Sequence, residues 1–286
     1  MATTATYAVP RVPLSSITRA EFRKRFLEPN LPVILTGATA DWRASREWVD
    51  GEGRPAFGTL VRLCGADEVV SVHDARGRGR EMALSEYVAW WDARPPPPVA
   101  GAVEQQELLY LKDWHVAQRH PEYGAYETPA CLGEDWLNEH WAAEAEPGDE
   151  GGDHRFVYVG PKGSKTALHA DVFFSCERRA FSLSPAPCSL NGMARGRYSW
   201  SANVLGRKRW RLVPDAQRSA VSDAATQPRA RSLAAIEAPG LTVHELVQEA
   251  GELLFVPSGW CRRRALFIWR RVRRQPTFDA ARSLCF

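Results

Sequence analysis

Apolar residues in this chain come in short runs closed by glycine or proline, and helical spacing is concentrated in the first hundred residues. Thr18-Arg-Ala-Glu21 opens an apolar-periodic stretch through Phe22, Phe26 and Leu27. A threonine followed three residues later by glutamate predicts a capping box, in which each side chain satisfies the other residue's free backbone N–H. Pro29 ends that helix. Pro32-Val33-Ile34-Leu35, closed by Gly37, and Val69-Val70-Ser71-Val72 are β-branched runs that predict strands. Asp41-Trp42 through Trp48 reads as a turn and a helix. Leu84 to Ala93, with Tyr87, Val88, Trp90 and Trp91, has the period of an amphipathic helix. Four prolines at 95–98 form a stiff extended stretch inside the same domain.

Beyond the prolines the pattern changes to strands. Glu107–Trp114, Arg155–Gly160, Thr166–Phe173, Tyr198–Leu205, Lys208–Val213 and Leu246–Val256 are short apolar or alternating runs separated by turn residues. Asp135-Trp136-Leu137 starts a short helix, and Glu144 to Asp153 is an acidic, glycine-rich loop. Many short strands with helices gathered early predict a mainly β fold with α, a jelly-roll core under a helical N-terminal cover. The organisation expected is a cover over residues 1–100, a β-barrel over 101–260 and a tail over 261–286.

The charge distribution changes one part of this picture. The net charge of +3 conceals eight arginines and one aspartate in residues 261–286, a local +7 that leaves the remainder at −4. The basic pI of about 8.6 therefore belongs to the tail, and nucleic-acid binding is not expected. No apolar run reaches the roughly 18 residues of a membrane span, and the N-terminus lacks the basic-then-apolar order of a secretory signal. Six cysteines without paired spacing point to free thiols in a reducing, cytoplasmic setting.

The chemistry gathers around Thr166-Ala-Leu-His169-Ala-Asp171-Val-Phe173. In a strand, residues i and i+2 share a face, so the His169 imidazole and the Asp171 carboxylate could grip one metal ion from adjacent corners. Two nitrogens and a carboxylate with open positions describe the ligand set of non-haem Fe(II) oxygenases. Lys208 lies on a strand after this motif, and a lysine ammonium can hold the distal carboxylate of 2-oxoglutarate as a point charge. Thr166 and Tyr110 offer hydroxyls for the same carboxylate, and Asn203 lies on the strand between, with Ser201.

Taken together, Pro32-Val-Ile-Leu-x-Gly37, Leu109-Tyr-Leu111, Thr166-x-x-His169-x-Asp171, Gly206-x-Lys208-Arg-Trp210 and Gly251-Glu252-x-x-Phe255-x-Pro257-x-Gly259-Trp260 resemble the JmjC family of Fe(II)/2-oxoglutarate oxygenases. The resemblance runs through most of the chain. It implies a double-stranded β-helix, the cupin-like barrel of that family. It also implies His169 and Asp171 as iron ligands, and Tyr110, Thr166, Asn203 and Lys208 around 2-oxoglutarate. O₂ would be the second co-substrate. The implied activity is protein hydroxylation, on lysine, with the eukaryotic peptide-chain release factor of translation termination as partner.

Two features depart from the family pattern. A third iron ligand, a histidine, is needed shortly after Gly259-Trp260, but the chain reads Cys261-Arg-Arg-Arg-Ala265 and places Arg262 there. His244 is the one distant histidine that could substitute. Leu266 to Phe286 shows no period-2 pattern, so the last barrel strands are expected to be missing. In addition, 36 residues separate Asp171 from Lys208, and the surplus, Phe174–Gly196, has the composition of an inserted loop. The alternatives are an active lysyl hydroxylase and a catalytically inactive variant that at most binds the release factor.

Overall fold

Strand pairing organises the chain around two sheets. The computed structural model describes residues 8–94, 107–133, 135, 138–139, 142–143, 153–166, 169, 198–218, 240–266 and 282–285, the last four by backbone alone. The larger sheet has nine strands in the order β1 (Arg11–Pro13), β2 (Val33–Thr36), β10 (Leu253–Val256), β7 (Ser199–Leu205), β12 (Arg282–Cys285), β6 (Val157–Pro161), β5 (Tyr110–Trp114), β3 (Val69–His73), β4 (Gly79–Ala83). The smaller sheet is β11 (Cys261–Leu266), β8 (Lys208–Val213), β9 (His244–Gln248). Apart from the parallel pair β1–β2, the pairing is antiparallel. The result is a β-rich, jelly-roll-like architecture with its helices early in the chain.

Those helices cover one face of the large sheet. The predicted capping box is present: Glu21 N–H donates to Thr18 Oγ1 at 3.3 Å, and Thr18 N–H to Glu21 Oε2 at 2.9 Å. It opens α1 (Arg19–Phe22), which continues as a π turn to Leu27. The later helices are α2 (Arg43–Glu47), α3 (Phe57–Cys64), α4 (Leu84–Asp92) and α5 (Val116–Arg119). Phe22, Trp48, Leu60, Tyr87 and Trp91 are buried against Val72, Leu111, Val159 and Phe255 of the strands. Each such side chain removed from water contributes about 1.5–3 kcal/mol before the loss of conformational entropy.

The opposite face of the large sheet looks toward the small one. Leu254 and Val256 pair with Ser201 and Ser199. Directly opposed residues share a face, so these four side chains point to the inter-sheet side. There Ile34, Leu254 and Val256 meet Trp210, Leu212, Leu246 and Trp260 in a second apolar cluster. Gln248 fastens the sheets: its Nε2 donates to the carbonyls of Ser201 (2.7 Å) and Glu252 (2.8 Å), while its Oε1 accepts from Trp210 Nε1 at 2.8 Å.

One sequence expectation is corrected here. The residues after Trp260 were expected to leave the barrel edge unpaired. Instead Cys261–Leu266 pairs along all six residues with β8, and Arg282–Cys285 pairs with β6 and β7. Backbone hydrogen bonding does not discriminate between arginine and apolar residues, and alternate residues of 261–266 still turn inward. Trp136 and Leu137, from the predicted start of a short helix, and the proposed insertion 174–196 lie outside the described residues. Among the described residues, no helix is long and apolar enough to cross a membrane.

Two local features fix the approach to the interior. At Asp113 the backbone turns left-handed (φ 54°) and the β5–β6 register shifts, a bulge that keeps Tyr110 and Lys112 on one face and returns Trp114 to the helical side. At Gly160 an added Cβ would stand 2.5 Å from both Ser164 Oγ and Tyr110 Cδ2. Gly160→Ala should therefore destabilise the protein by about 1–3 kcal/mol through overpacking, read as a lowered urea midpoint. An unchanged midpoint would mean that the Tyr110 ring is not held against Gly160.

Behind β5 and β6, the fully buried Asp153 carboxylate accepts from His115 Nδ1 at 3.0 Å and from the Arg155 guanidinium. Burial pushes this carboxyl up, but the hydrogen bonds from His115 and Arg155 outweigh it and leave the pKa below the ordinary value. A depressed folded-state pKa contributes stability that is complete above the unfolded value of about 3.9 and is lost as pH falls through the folded one. Asp153→Asn should lower stability at neutral pH and flatten its acid dependence below about pH 4. Denaturant melts of both proteins across that range check this; parallel curves would assign the acid sensitivity elsewhere.

Candidate functional site

The candidate site lies between the sheets, where polar residues replace the apolar cluster. On β7, alternation puts Ser199, Ser201 and Asn203 on the inter-sheet side. On β8 the residues facing them are Lys208, Trp210 and Leu212, directly opposite Leu266, Arg264 and Arg262 of β11. Three cations of the small sheet thus share one face.

Lys208 is fully buried. Its Nζ crosses to the large sheet and donates to Ser201 Oγ and to the Ala202 carbonyl, both at 3.1 Å. The hairpin that delivers it turns at Gly206, where φ is 75°. Asn203 closes that turn by donating from Nδ2 to the Gly206 carbonyl at 2.8 Å. The described bond of Asn203 thus positions the Lys208 strand. A lysine on a strand after a turn most often points to solvent; here register carries it inward.

Arg264 is the residue that sequence reasoning missed. Its guanidinium carbon lies 3.8 Å from the Tyr158 ring centroid, 5.8 Å from that of Tyr110 and 6.0 Å from that of Trp210. The close approach to Tyr158 is a cation–π contact worth about 0.5–2 kcal/mol. Lys112 Nζ stands 5.5 Å from the Tyr110 centroid. Burial pulls the Lys112 ammonium below its ordinary pKa; Asp113 opposes this and Arg264 adds to it. The two cations thus stand close enough to feel one another.

Thr166 and Ser164 lie along the free edge of β11. Thr166 N–H donates to the Arg264 carbonyl at 3.1 Å, and Arg264 N–H to Thr166 Oγ1 at 3.4 Å. Leu266 N–H donates to the Ser164 carbonyl at 2.8 Å. Ser164 Oγ is buried and has no hydrogen-bond partner among the described residues. Further along the same edge, His169 and Arg262 form an antiparallel bridge with two backbone hydrogen bonds, 3.0 and 2.7 Å. Their side chains therefore leave on the same face. His169 is exposed at the rim. Arg262 is partly buried, and its guanidinium crosses between the sheets to Ser199 Oγ on β7.

The structure thus brings Tyr110, Thr166, Asn203 and Lys208 to the inter-sheet side with His169 at the rim, while Asp171 lies outside the described residues. Iron fits poorly. Among the described residues, no group of three or more His, Cys, Asp or Glu side chains could hold a metal ion. The side chain facing His169 is a guanidinium, which is permanently charged and repels a cation. His244 does not substitute. It sits on β9 in the row His244–Leu212–Arg262–His169, three strand spacings and so roughly 14 Å from His169, with its ring 5.3 Å from Trp260.

No protein-family model matches the chain. It is similar to the 2-oxoglutarate and iron-dependent oxygenase JMJD4 of Gallus gallus, 35% identical over 266 residues, covering 86% of this chain and 55% of that protein. It is also similar to the arginine-specific demethylase JMJ20 of Arabidopsis thaliana, 33% identical over 274 residues, 88% of this chain and 53% of that protein. A more distant relative is the bifunctional arginine demethylase and lysyl-hydroxylase psr-1 of Caenorhabditis briggsae, 26% identical over 276 residues, 88% of this chain and 57% of that protein. The chain spans about half the length of the relatives it matches.

The environment of Lys208 yields a stability test. Lys208→Met keeps most of the packed stem and deletes the charge, and should shift stability by less than about 1.5 kcal/mol. Lys208→Ala opens a cavity between the sheets and should cost about 2–5 kcal/mol. Chemical denaturation of the two variants separates these effects; equal losses would show that the charge, not the stem, holds the site.

Proposed function

The chain belongs to the JmjC family of 2-oxoglutarate- and iron-dependent oxygenases, and from that premise we propose that it retains the family's co-substrate pocket and protein-binding role without completing an iron centre. The observation that carries this reading is the His169–Arg262 bridge. In the family pattern a histidine stands where Arg262 stands, and the register puts Arg262 opposite the one described candidate ligand. Oxygenases of this kind take their oxidising power from iron, O₂ and 2-oxoglutarate; the protein's part is to bind, orient and exclude water.

The residues of this chain can still perform the binding part. Lys208 is held rigidly by Ser201 and the Ala202 carbonyl, which suits a carboxylate that arrives in a fixed pose. The hydroxyls of Thr166 and Tyr110 lie on the same side. Asp171 is the expected companion of His169, and Arg262 is placed to pair with such a carboxylate and so compete with a metal for it. As substrate, the reading takes a lysine of the eukaryotic peptide-chain release factor, bound but not hydroxylated. Free Cys64, Cys131 and Cys261 agree with a cytoplasmic setting. The second reading, an active lysyl hydroxylase, is favoured by the similarity to oxygenases along 86% of the chain.

Succinate formation from 2-oxoglutarate, with Fe(II), ascorbate and the release factor, decides between them. The chain as it stands should give no substrate-dependent succinate. Arg262→His should tighten Fe(II) binding at least tenfold, since loss of even an outer partner of a metal ligand costs about 10–100-fold. Substrate-dependent turnover by the unaltered chain would establish the active reading instead.

A further inference from the structure

We propose that the groove between α2 and α3 is a docking site for an acidic peptide segment of a protein partner, gripped by Arg46 and Arg62. The groove belongs to the helical cover, on the other side of the large sheet from the inter-sheet space. It does not depend on whether an iron centre forms.

Two helix faces build the groove. Arg43, Arg46 and Glu47 stand together on α2, and Thr59, Arg62 and Leu63 on α3, because residues three and four apart on a helix are neighbours. Both faces line one shallow pocket of about 630 Å³.

The acidic side chains of this pocket are already taken. Glu47 accepts from Arg43 Nε at 2.7 Å and from the Tyr123 hydroxyl at 2.9 Å. These two bonds, that from Arg43 first, hold its carboxyl below the usual range. Asp50 accepts from the Glu52 and Arg54 amides at 2.9 and 2.8 Å and from Arg54 Nε at 2.9 Å. Arg43 is fixed as well. Its guanidinium donates to the Tyr123 carbonyl at 3.0 Å and lies 4.1 Å from that ring's centroid. The ring is held from behind, since Tyr123 Oη accepts from the buried Trp48 Nε1 at 3.1 Å.

Arg46 and Arg62 are different. Both are exposed, and their hydrogen bonds go to neutral acceptors: Arg46 Nη1 to the Asp41 carbonyl at 2.6 Å, and Arg62 Nη2 to Thr59 Oγ1 at 3.0 Å. Among the described residues, no carboxylate lies within ion-pair distance of either. A guanidinium carries five N–H donors in a planar fork that matches a carboxylate, so each keeps donors to spare. Val49 and Leu63, partly buried, add apolar ground to the same pocket. A bare anion would use the arginines alone. A peptide with aliphatic residues beside its acids uses both the charge and the apolar surface, and it is the occupant that the lining complements.

The test is fluorescence polarisation of the full chain with a short labelled peptide that carries glutamates on both sides of a leucine pair. We expect binding that weakens at high salt, and at least tenfold weaker binding of the same peptide with glutamine for glutamate. Arg46→Gln and Arg62→Gln should each weaken the acidic peptide about two- to fivefold, the worth of an exposed ion pair, and the double variant about tenfold. Both positions are exposed, so these substitutions should leave the fold intact. Arg46→Glu combined with Arg62→Glu should reverse the preference, favouring the peptide with lysine for glutamate. Arg23→Gln, at an exposed arginine after α1 and outside the groove, should change nothing. Inorganic phosphate at matched ionic strength should not displace the peptide.

Equal binding of the glutamate and glutamine peptides overturns the proposal, and so does an unchanged affinity in the double variant. A loss with Arg23→Gln as large as with Arg62→Gln would mean general attraction to a basic chain and overturns it too. Displacement by phosphate would reduce the groove to a bare-anion site. Succinate formation, present or absent, leaves the docking site standing.

Discussion

The interior depends on the pairing of Cys261–Leu266 along both of its edges. On one side the strand is held by β8 from Cys261↔Val213 to Leu266↔Lys208. On the other it is held by Gly163, Ser164, Thr166 and His169 through backbone bonds of 2.7–3.1 Å. Side chains in a strand alternate, so this single register decides which residues enter the space between the sheets. A slip of one residue would send Arg262 and Arg264 outward and bring Arg263 inward. The register is fixed by its apolar members: Leu266 is buried among the strands, and Cys261 packs with Val213 and Leu241.

That register has an electrostatic consequence. A buried ammonium and a buried guanidinium on neighbouring strands oppose folding, because each loses hydration and each raises the other's energy. The protein offsets part of this with neutral partners. The Ser201 hydroxyl and the Ala202 carbonyl take Lys208, and the Tyr158 ring takes the flat face of Arg264. The tyrosine layer itself depends on Gly160, since a methyl group there would collide with Tyr110 and Ser164. The bulge at Asp113 and the missing Cβ at Gly160 thus serve one geometry, in which aromatic faces are available to cations from the opposite sheet.

Much of the fold was legible in the sequence because its signals are local. The capping box at Thr18–Glu21, the helix at Leu84–Asp92 and the strands β2, β3, β5, β6, β7, β8 and β10 follow from spacing, turn residues and β-branched runs. The helix Phe57–Cys64 and the edge strand Gly79–Ala83 were not read; the latter, Gly-Arg-Glu-Met-Ala, is polar and gets its strand character from pairing with β3. Of the site, the H-x-D motif and Lys208 were visible as residue types at a meaningful spacing. Arg264 was not, because an arginine cluster at 262–264 reads as a solvated basic tail. The available signal was the alternation Arg262, Arg264, Leu266 following the turn at Gly259. Strand pairing alone settles whether such a segment is inside or outside.

Backbone hydrogen bonds close a sheet without regard to what the side chains carry, and this separates the fate of a fold from the fate of its chemistry. Cys261–Leu266 has few of the residues expected of a barrel strand, yet it completes the small sheet because its peptide groups and two buried apolar residues, Leu266 on the inward face and Cys261 on the opposite one, suffice. The metal chemistry has no such tolerance: it requires a lone pair at one point, and a guanidinium has none to offer. The same atoms that refuse a cation are well suited to a carboxylate. A single strand can therefore preserve the architecture of a sheet while changing the chemistry its side chains can support.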